Sequence, residues 1–214
     1  MADITAKPLP TFGYPNRMGR IMLHTIQKMA TPEENSQILQ IAGLQEFLNH
    51  LPPADLDLGF SFQSVSALQA AAEAVYGVEK GRAFNQKVGR ACLEGGLREF
   101  NPLLGIADLP TRLLPLSLKL HVGFDMFAMV FNRFTDQVVT LGEDDKTYKW
   151  IISRCPVCWE RHTDEPCCHL AIGILEEGLF WASGGRRFRV VETQCIATGS
   201  DNCVIVIDKR PIQG

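Results

Sequence analysis

Six of the seven cysteines lie in the last third of the chain, together with two histidines. They occur in the strings CPVC, PCCH and ETQCIATGSDNC, and the eight residues are Cys155, Cys158, Cys167, Cys168, Cys195, Cys203, His162 and His169. Thiolates and imidazoles clustered in this way are typical ligands of a metal ion, and zinc is the commonest one. The pattern predicts a metal site, and it indicates less about what the protein acts on.

One set of ligands follows from a predicted β-hairpin near the C-terminus. Cys195 follows one predicted strand and Cys203 begins the next, so the hairpin brings the two thiolates together. Glu192 lies three residues before Cys195, so the two side chains point to opposite faces unless a bend or bulge intervenes. A third thiolate, from Cys167 or Cys168, would complete a closed, structural zinc site.

The CPVC string is open to more than one interpretation. A redox pair would sit at a helix N-terminus after a strand, but here a polar loop follows, which disfavours that interpretation. A zinc interpretation joins Cys155 and Cys158 to Cys167 or Cys168, with His162 or His169 as the fourth ligand. These residues would form either a second site or an alternative ligand set for the same metal ion.

Composition narrows the class of protein. The chain has 214 residues, is 46% hydrophobic and carries a formal net charge of -3, which argues against a nucleic-acid partner. The N-terminal residues lack the apolar stretch of a secretory signal. Adjacent cysteines and an odd cysteine count disfavour a secreted disulfide framework. We therefore expect a cytoplasmic protein.

Hydrophobic periodicity predicts an α+β fold in one domain, 1–214. Residues 1–135 read as amphipathic helices, and residues 136–214 read as a small antiparallel sheet of chain order β-β-α-β-β that carries the zinc site. We expect the N-terminal helices to pack on this sheet. The amount of apolar helical surface before residue 135 also favours a homodimer formed through those helices.

The most apolar segment runs from Leu113 to Phe134. Lys119, His121 and Asp125 interrupt it near its centre, so we expect a buried helix and no membrane span. Its aromatic and methionine side chains suit the wall of an apolar cavity, and His121 is the candidate for a polar ligand contact. The other candidate ligand-binding residues are Phe124, Phe127, Phe131, Trp150 and Trp181.

The C-terminal sequence resembles the 4-vinyl reductase domain family. Its pattern is a cysteine that opens a helix and a glycine five residues later, then V-x-E-x-x-C-x-A-x-G-[DS]-x-x-C. The matching residues are Cys168, Gly173, Val190, Glu192, Cys195, Ala197, Gly199 and Cys203. The N-terminal string YPNRMGRIML also resembles the opening of the family. The family includes effector-sensing domains of phenol-responsive activators, proteins linked to bacteriochlorophyll synthesis, and distant vesicle-tethering subunits.

The resemblance implies a zinc held by Cys168, Glu192, Cys195 and Cys203. The phenol sensors lack the CPVC pair and Cys167, so Cys155, Cys158, Cys167 and His169 are possible additional ligands. No hydride-cofactor motif or catalytic constellation is visible, so we expect no catalytic residues. Three functions remain: a sensor or carrier of a hydrophobic small molecule such as an aromatic hydrocarbon or a tetrapyrrole, an enzyme or accessory in vinyl-group reduction, and a ligand-free dimeric scaffold. We favour the first.

Overall fold

The computed structural model describes residues 12–104 and 115–212. This part of the chain contains six α-helices and two antiparallel sheets, which confirms the predicted α+β class. The elements are β1 (Gly13–Tyr14), α1 (Asn16–Met29), α2 (Pro32–Ile41), β2 (Phe60–Ser61), α3 (Phe62–Tyr76), α4 (Val78–Leu104), α5 (Leu116–Phe134), β3 (Val138–Glu143), β4 (Thr147–Arg154), α6 (His169–Ser183), β5 (Phe188–Gln194) and β6 (Cys203–Pro211).

Local chemistry explains several of the helix ends. Thr31 and Glu34 form a capping box at the start of α2, where Pro32 is the first helical residue. The Ser61 hydroxyl accepts a hydrogen bond from the backbone N–H of Ser64 at the start of α3. Gly184, in the left-handed conformation, ends α6.

The larger sheet has four strands in the spatial order β3-β4-β6-β5, all antiparallel. One face is buried under α5 and α6, and its central side chain is Trp150, of which only 2% is exposed. The rings of Phe124, Phe127 and Phe131 on α5 pack around Trp150 with centroid distances of 5.5–6.4 Å. The sheet face and α5 therefore share one aromatic core.

Close contact between α4 and α6 joins the helical part to the sheet part. A Cβ atom on Gly89 would overlap the carbonyl oxygen of Leu170, and one on Gly173 would overlap the carbonyl oxygen of Gln86. The two backbones touch where side chains are absent, as the glycines of the α4 sequence predict.

The N-terminal segment contributes a small sheet that the periodicity does not predict. Strands β1 and β2 pair as Gly13 with Ser61 and Tyr14 with Phe60. The buried Tyr14 hydroxyl donates a hydrogen bond of 2.5 Å to Oε1 of Gln137, just before β3. Within the described ranges, no helix has the length and apolar character needed to cross a membrane. Of the predicted segment Leu113–Phe134, residues 113 and 114 lie outside the described residues.

Candidate metal centre and apolar cavities

Three elements and one loop bring five cysteines and one glutamate together. Cys155 and Cys158 lie in the loop after β4, Cys168 precedes the first residue of α6, and Cys203 begins β6. Glu192 lies on β5 and Cys195 follows that strand. All six side chains are buried.

The six side chains form two overlapping groups of possible metal ligands. One group is Cys168, Glu192, Cys195 and Cys203, and the other is Cys155, Cys158, Cys168 and Cys203. Within each group the ligand atoms all lie within 4.8 Å of one another. Cys168 and Cys203 belong to both groups.

The sulfur atoms of the first group have the spacing of a tetrahedral zinc site. The Sγ atoms of Cys168, Cys195 and Cys203 are separated by 3.9, 3.8 and 3.9 Å. Zinc–sulfur bonds of about 2.3 Å at tetrahedral angles place neighbouring sulfurs about 3.8 Å apart. The three thiols therefore suit zinc with no movement of the backbone.

A β-bulge turns Glu192 toward these thiols. The register between β5 and β6 shifts between Glu192 and Gln194, and this shift removes the alternation that would separate Glu192 from Cys195. Oε2 of Glu192 accepts a hydrogen bond of 2.8 Å from the backbone N–H of Cys168. Oε1 is buried and has no hydrogen-bond partner, which makes it the free donor atom for a cation.

Electrostatics at the centre favour a bound cation. Burial, with the nearby Cys195 thiolate, raises the pKa of Glu192 to about 8. Hydrogen bonds from neighbouring thiols, that of Cys158 foremost, lower the pKa of Cys195, whereas the hydrogen bond with Cys155 raises the pKa of Cys168. The groups therefore cannot all ionise unless a positive ion compensates their charges.

The remaining candidate ligands lie outside both groups. Cys167 is buried, His169 is half-buried with a pKa that burial lowers, and His162 is exposed. The loop that carries Cys155 and Cys158 is held to α3 by an ion pair of 2.6 Å between Arg161 and Glu73. Sequence reasoning missed this ion pair, because the two residues are far apart in the chain.

Two adjoining apolar cavities lie among the helices. A cavity of about 110 Å³ lies between α1, α4 and α5, and one of about 60 Å³ lies between α4, α5 and α6. Leu93, Leu97, Phe127 and Val130 line both cavities and separate them. The space between α5 and the sheet is only about 20 Å³.

The predicted ligand-binding aromatic residues all line one of these spaces. Phe124 and Trp181 line the 60 Å³ cavity, Phe131 lines the 110 Å³ cavity, and Trp150 lines the space against the sheet. Sequence reasoning missed Tyr14 and Cys92, which also line the largest of the three. Neither residue stands out by type or spacing.

His121 lies apart from these cavities. Half of its side chain is exposed, its Nε2 is 3.6 Å from Oε1 of Glu143, and its ring contacts Tyr148 edge-on. It lines a polar surface groove together with Asp125 and Lys149. A ligand contact by His121 stays a prediction.

The fold is similar to that of H-NOX proteins. An H-NOX protein from S. oneidensis in the Fe(II)NO ligation state aligns with a TM-score of 0.58 at 10% identity, over 91% of this chain and 99% of that chain. The unliganded Fe(II) H-NOX protein from K. algicida aligns with a TM-score of 0.55 at 10% identity, over 94% and 97% of the two chains. A trafficking protein particle complex subunit 3 from Naegleria fowleri, covalently bound to palmitic acid, aligns with a TM-score of 0.49 at 15% identity, over 72% and 95%.

A comparison with curated proteins finds no match. The family model of the 4-vinyl reductase domain, the family of the resemblance, matches residues 149–209. This range begins in β4 and contains α6, β5 and most of β6, and it includes all six residues of the two ligand groups. The C-terminal part of the chain is therefore a 4-vinyl reductase domain.

Proposed function

We propose that the protein is a zinc-containing binding domain for a small hydrophobic molecule, acting as a sensor or a carrier. The observation that carries the proposal is the pair of adjoining apolar cavities. Their walls are almost entirely aliphatic and aromatic, which suits ligands without charge. Apolar cavities of this kind stay dry and take up apolar guests.

The size of the cavities favours a single aromatic ring. A cavity of about 150 Å³ holds benzene, and the larger cavity here is about 110 Å³. A shift of the Phe127 side chain would join the two cavities, because that ring lines both. A tetrapyrrole has four linked rings and would require much larger rearrangements.

Heme is not supported by these cavities. Another H-NOX structure, which concerns heme distortion in that family, aligns with a TM-score of 0.53 at 11% identity, over 94% of this chain and 97% of that chain. No described histidine lines the two cavities, and the space is too small for a porphyrin. We therefore derive no role for heme.

The donor set fits a structural zinc held by Cys168, Glu192, Cys195 and Cys203. Zinc supplies no redox chemistry, and four protein ligands leave no position open for substrate. These residues would join the start of α6 to the β5–β6 hairpin. We expect Cys195→Ser to lose zinc and to lower the melting temperature strongly, because the binding free energy of a structural zinc is largely folding free energy. Cys92→Ser is the control, since Cys92 belongs to neither ligand group.

A thermal-shift and tryptophan-fluorescence screen with toluene, phenol and protoporphyrin tests ligand binding. We expect toluene or phenol to raise the melting temperature in a concentration-dependent manner, because binding stabilises the folded state. Cys92→Leu should abolish the shift by filling the larger cavity, whereas Cys92→Ala enlarges that cavity and should preserve the shift.

The two other functions correspond to distinct outcomes of the screen. If no compound shifts the melting temperature, the protein acts as a ligand-free scaffold. If a porphyrin with a vinyl group binds and is reduced when a reductant is added, the protein belongs to vinyl-group reduction. Either result would overturn the proposal.

A further inference from the structure

We infer that the cysteine centre holds two metal ions, with the thiolates of Cys168 and Cys203 bridging them. This inference deepens the proposed zinc site and rests on it. The first ion would have Glu192 and Cys195 as its other ligands, and the second would have Cys155 and Cys158. The structure brings both groups of four together around the same two sulfur atoms.

Coordination number is the first argument. A structural zinc takes four ligands, whereas the centre offers six buried ligand groups. One ion would leave Cys155 and Cys158 unused. Two four-coordinate ions have eight positions, and six groups fill them when two of the groups serve twice. The two overlapping groups correspond to this arrangement without a missing or spare ligand.

The distances from the CPVC pair to the shared sulfurs are the second argument. Sγ of Cys155 is 3.5 Å from Sγ of Cys168, and Sγ of Cys158 is 3.4 Å from Sγ of Cys203. Each cysteine of the pair thus approaches a different shared sulfur. These separations are close to the edge of about 3.8 Å expected between two ligands of one zinc ion. The C-x-x-C spacing is also the usual spacing of paired zinc ligands.

Charge is the third argument. Five thiolates and one carboxylate carry six negative charges, which two divalent ions reduce to two. A single ion would leave four, so Cys155 and Cys158 would have to remain protonated. Cys155 and Cys158 are each 1% exposed, and buried charges are stable only when they are paired or bind metal. The second ion removes the need for buried, unused thiols.

Elemental analysis and native mass spectrometry of the purified full chain test the inference. We expect two zinc ions per chain, and one in the double variant Cys155→Ser/Cys158→Ser. The matched control is Cys167→Ser, because Cys167 is buried beside the centre but belongs to neither ligand group, and it should keep both ions. One zinc in the wild-type chain and an unchanged content in the double variant would overturn the inference and leave the proposed zinc site intact.

A second measurement avoids variants that fail to fold. With ¹¹³Cd in place of zinc, we expect two NMR signals that are coupled to each other through the bridging sulfurs. A single signal, or two uncoupled signals, would overturn the inference. A chain without metal would overturn both the inference and the proposed zinc site, as would iron with acid-labile sulfide.

Discussion

Glu192 differs from the five cysteines of the centre because its position could be only partly predicted. Strand alternation separates it from Cys195, and the sequence states only that a bulge would reunite them. The observed bulge between Glu192 and Gln194 does so. Its location depends on how β5 pairs with β6, which is a tertiary property that no residue type in the segment specifies.

Glu192→Gln separates the electrostatic role of this residue from its role in packing. Burial raises the pKa of Glu192 to about 8, so the metal-free protein holds it protonated at pH 7. The amide should therefore cost the chelator-treated protein little. In the metal-bound protein it removes an anionic ligand, and we expect metal affinity to fall by at least the ~10-fold that loss of an outer-shell partner costs. Competition with a chromophoric chelator measures this. Equal affinity in the two proteins would exclude Glu192 as a ligand.

Glu192 also gives the metal-free protein a pH dependence of defined sign. Its folded-state pKa of about 8 lies above the ordinary value of 4.5, so the folded state binds this proton more tightly than the unfolded state. Its stabilising effect is complete below pH 4.5 and is lost as the pH rises toward 8, by up to about 1.4 kcal/mol per pH unit. Urea unfolding of chelated protein at several pH values should show this decline, and Glu192→Gln should weaken it. The metal-bound protein should lose stability toward acid instead, because its ligands must be deprotonated.

The role of the CPVC pair could not be decided from the sequence. Its spacing alone permits a separate site, a shared site or a redox pair. The structure brings Cys155 and Cys158 next to Cys168 and Cys203 because the loop after β4 folds back over the sheet, and the Arg161–Glu73 ion pair holds it there. Contacts between distant residues of this kind leave no periodic signal.

At the scale of the elements, helices were predicted more completely than cavities. Residues 169–183, predicted as a helix from one apolar face and a following Gly184, form α6. Strands β1 and β2 were not predicted, because two-residue strands show no alternation. The cavities depend on how far apart four helices pack, and only the aromatic residues of α5 gave a sign of them.

Gly173 and Gly178 on α6 should respond oppositely to alanine. A Cβ on Gly173 would overlap the Gln86 carbonyl and force α4 and α6 apart, which we expect to cost about 1–3 kcal/mol. A Cβ on Gly178 would lie 3.4 Å from Cδ2 of Leu93, an ordinary contact, so this variant should gain up to about 1 kcal/mol from helix propensity. Chemical denaturation of both variants measures the difference. A harmless Gly173→Ala would show that the helices separate without cost.

For the whole molecule, we expect a homodimer formed through the N-terminal helices. Ile41 and Val78 are 56% and 54% exposed, which is unusual for large apolar side chains in this part of the chain. Light scattering at micromolar concentration should give twice the chain mass of 23.8 kDa. Ile41→Glu should shift the protein to the monomer, whereas Val191→Glu, on the exposed side of the sheet, should not. A wild-type mass equal to the single-chain mass would refute the dimer. That residues 1–214 form a single domain also stays a prediction.

Helix α6 extends from the cysteine centre to the cavities. Cys168 precedes its first residue, and Ile174, Leu175 and Gly178 line the three apolar spaces farther along the helix. A guest that displaces α6 therefore acts on both ends of the same rigid rod. By thermodynamic reciprocity, the factor by which the guest changes metal affinity equals the factor by which the metal changes affinity for the guest. Zinc availability and exposure to a hydrocarbon would then be read by the protein as one combined signal.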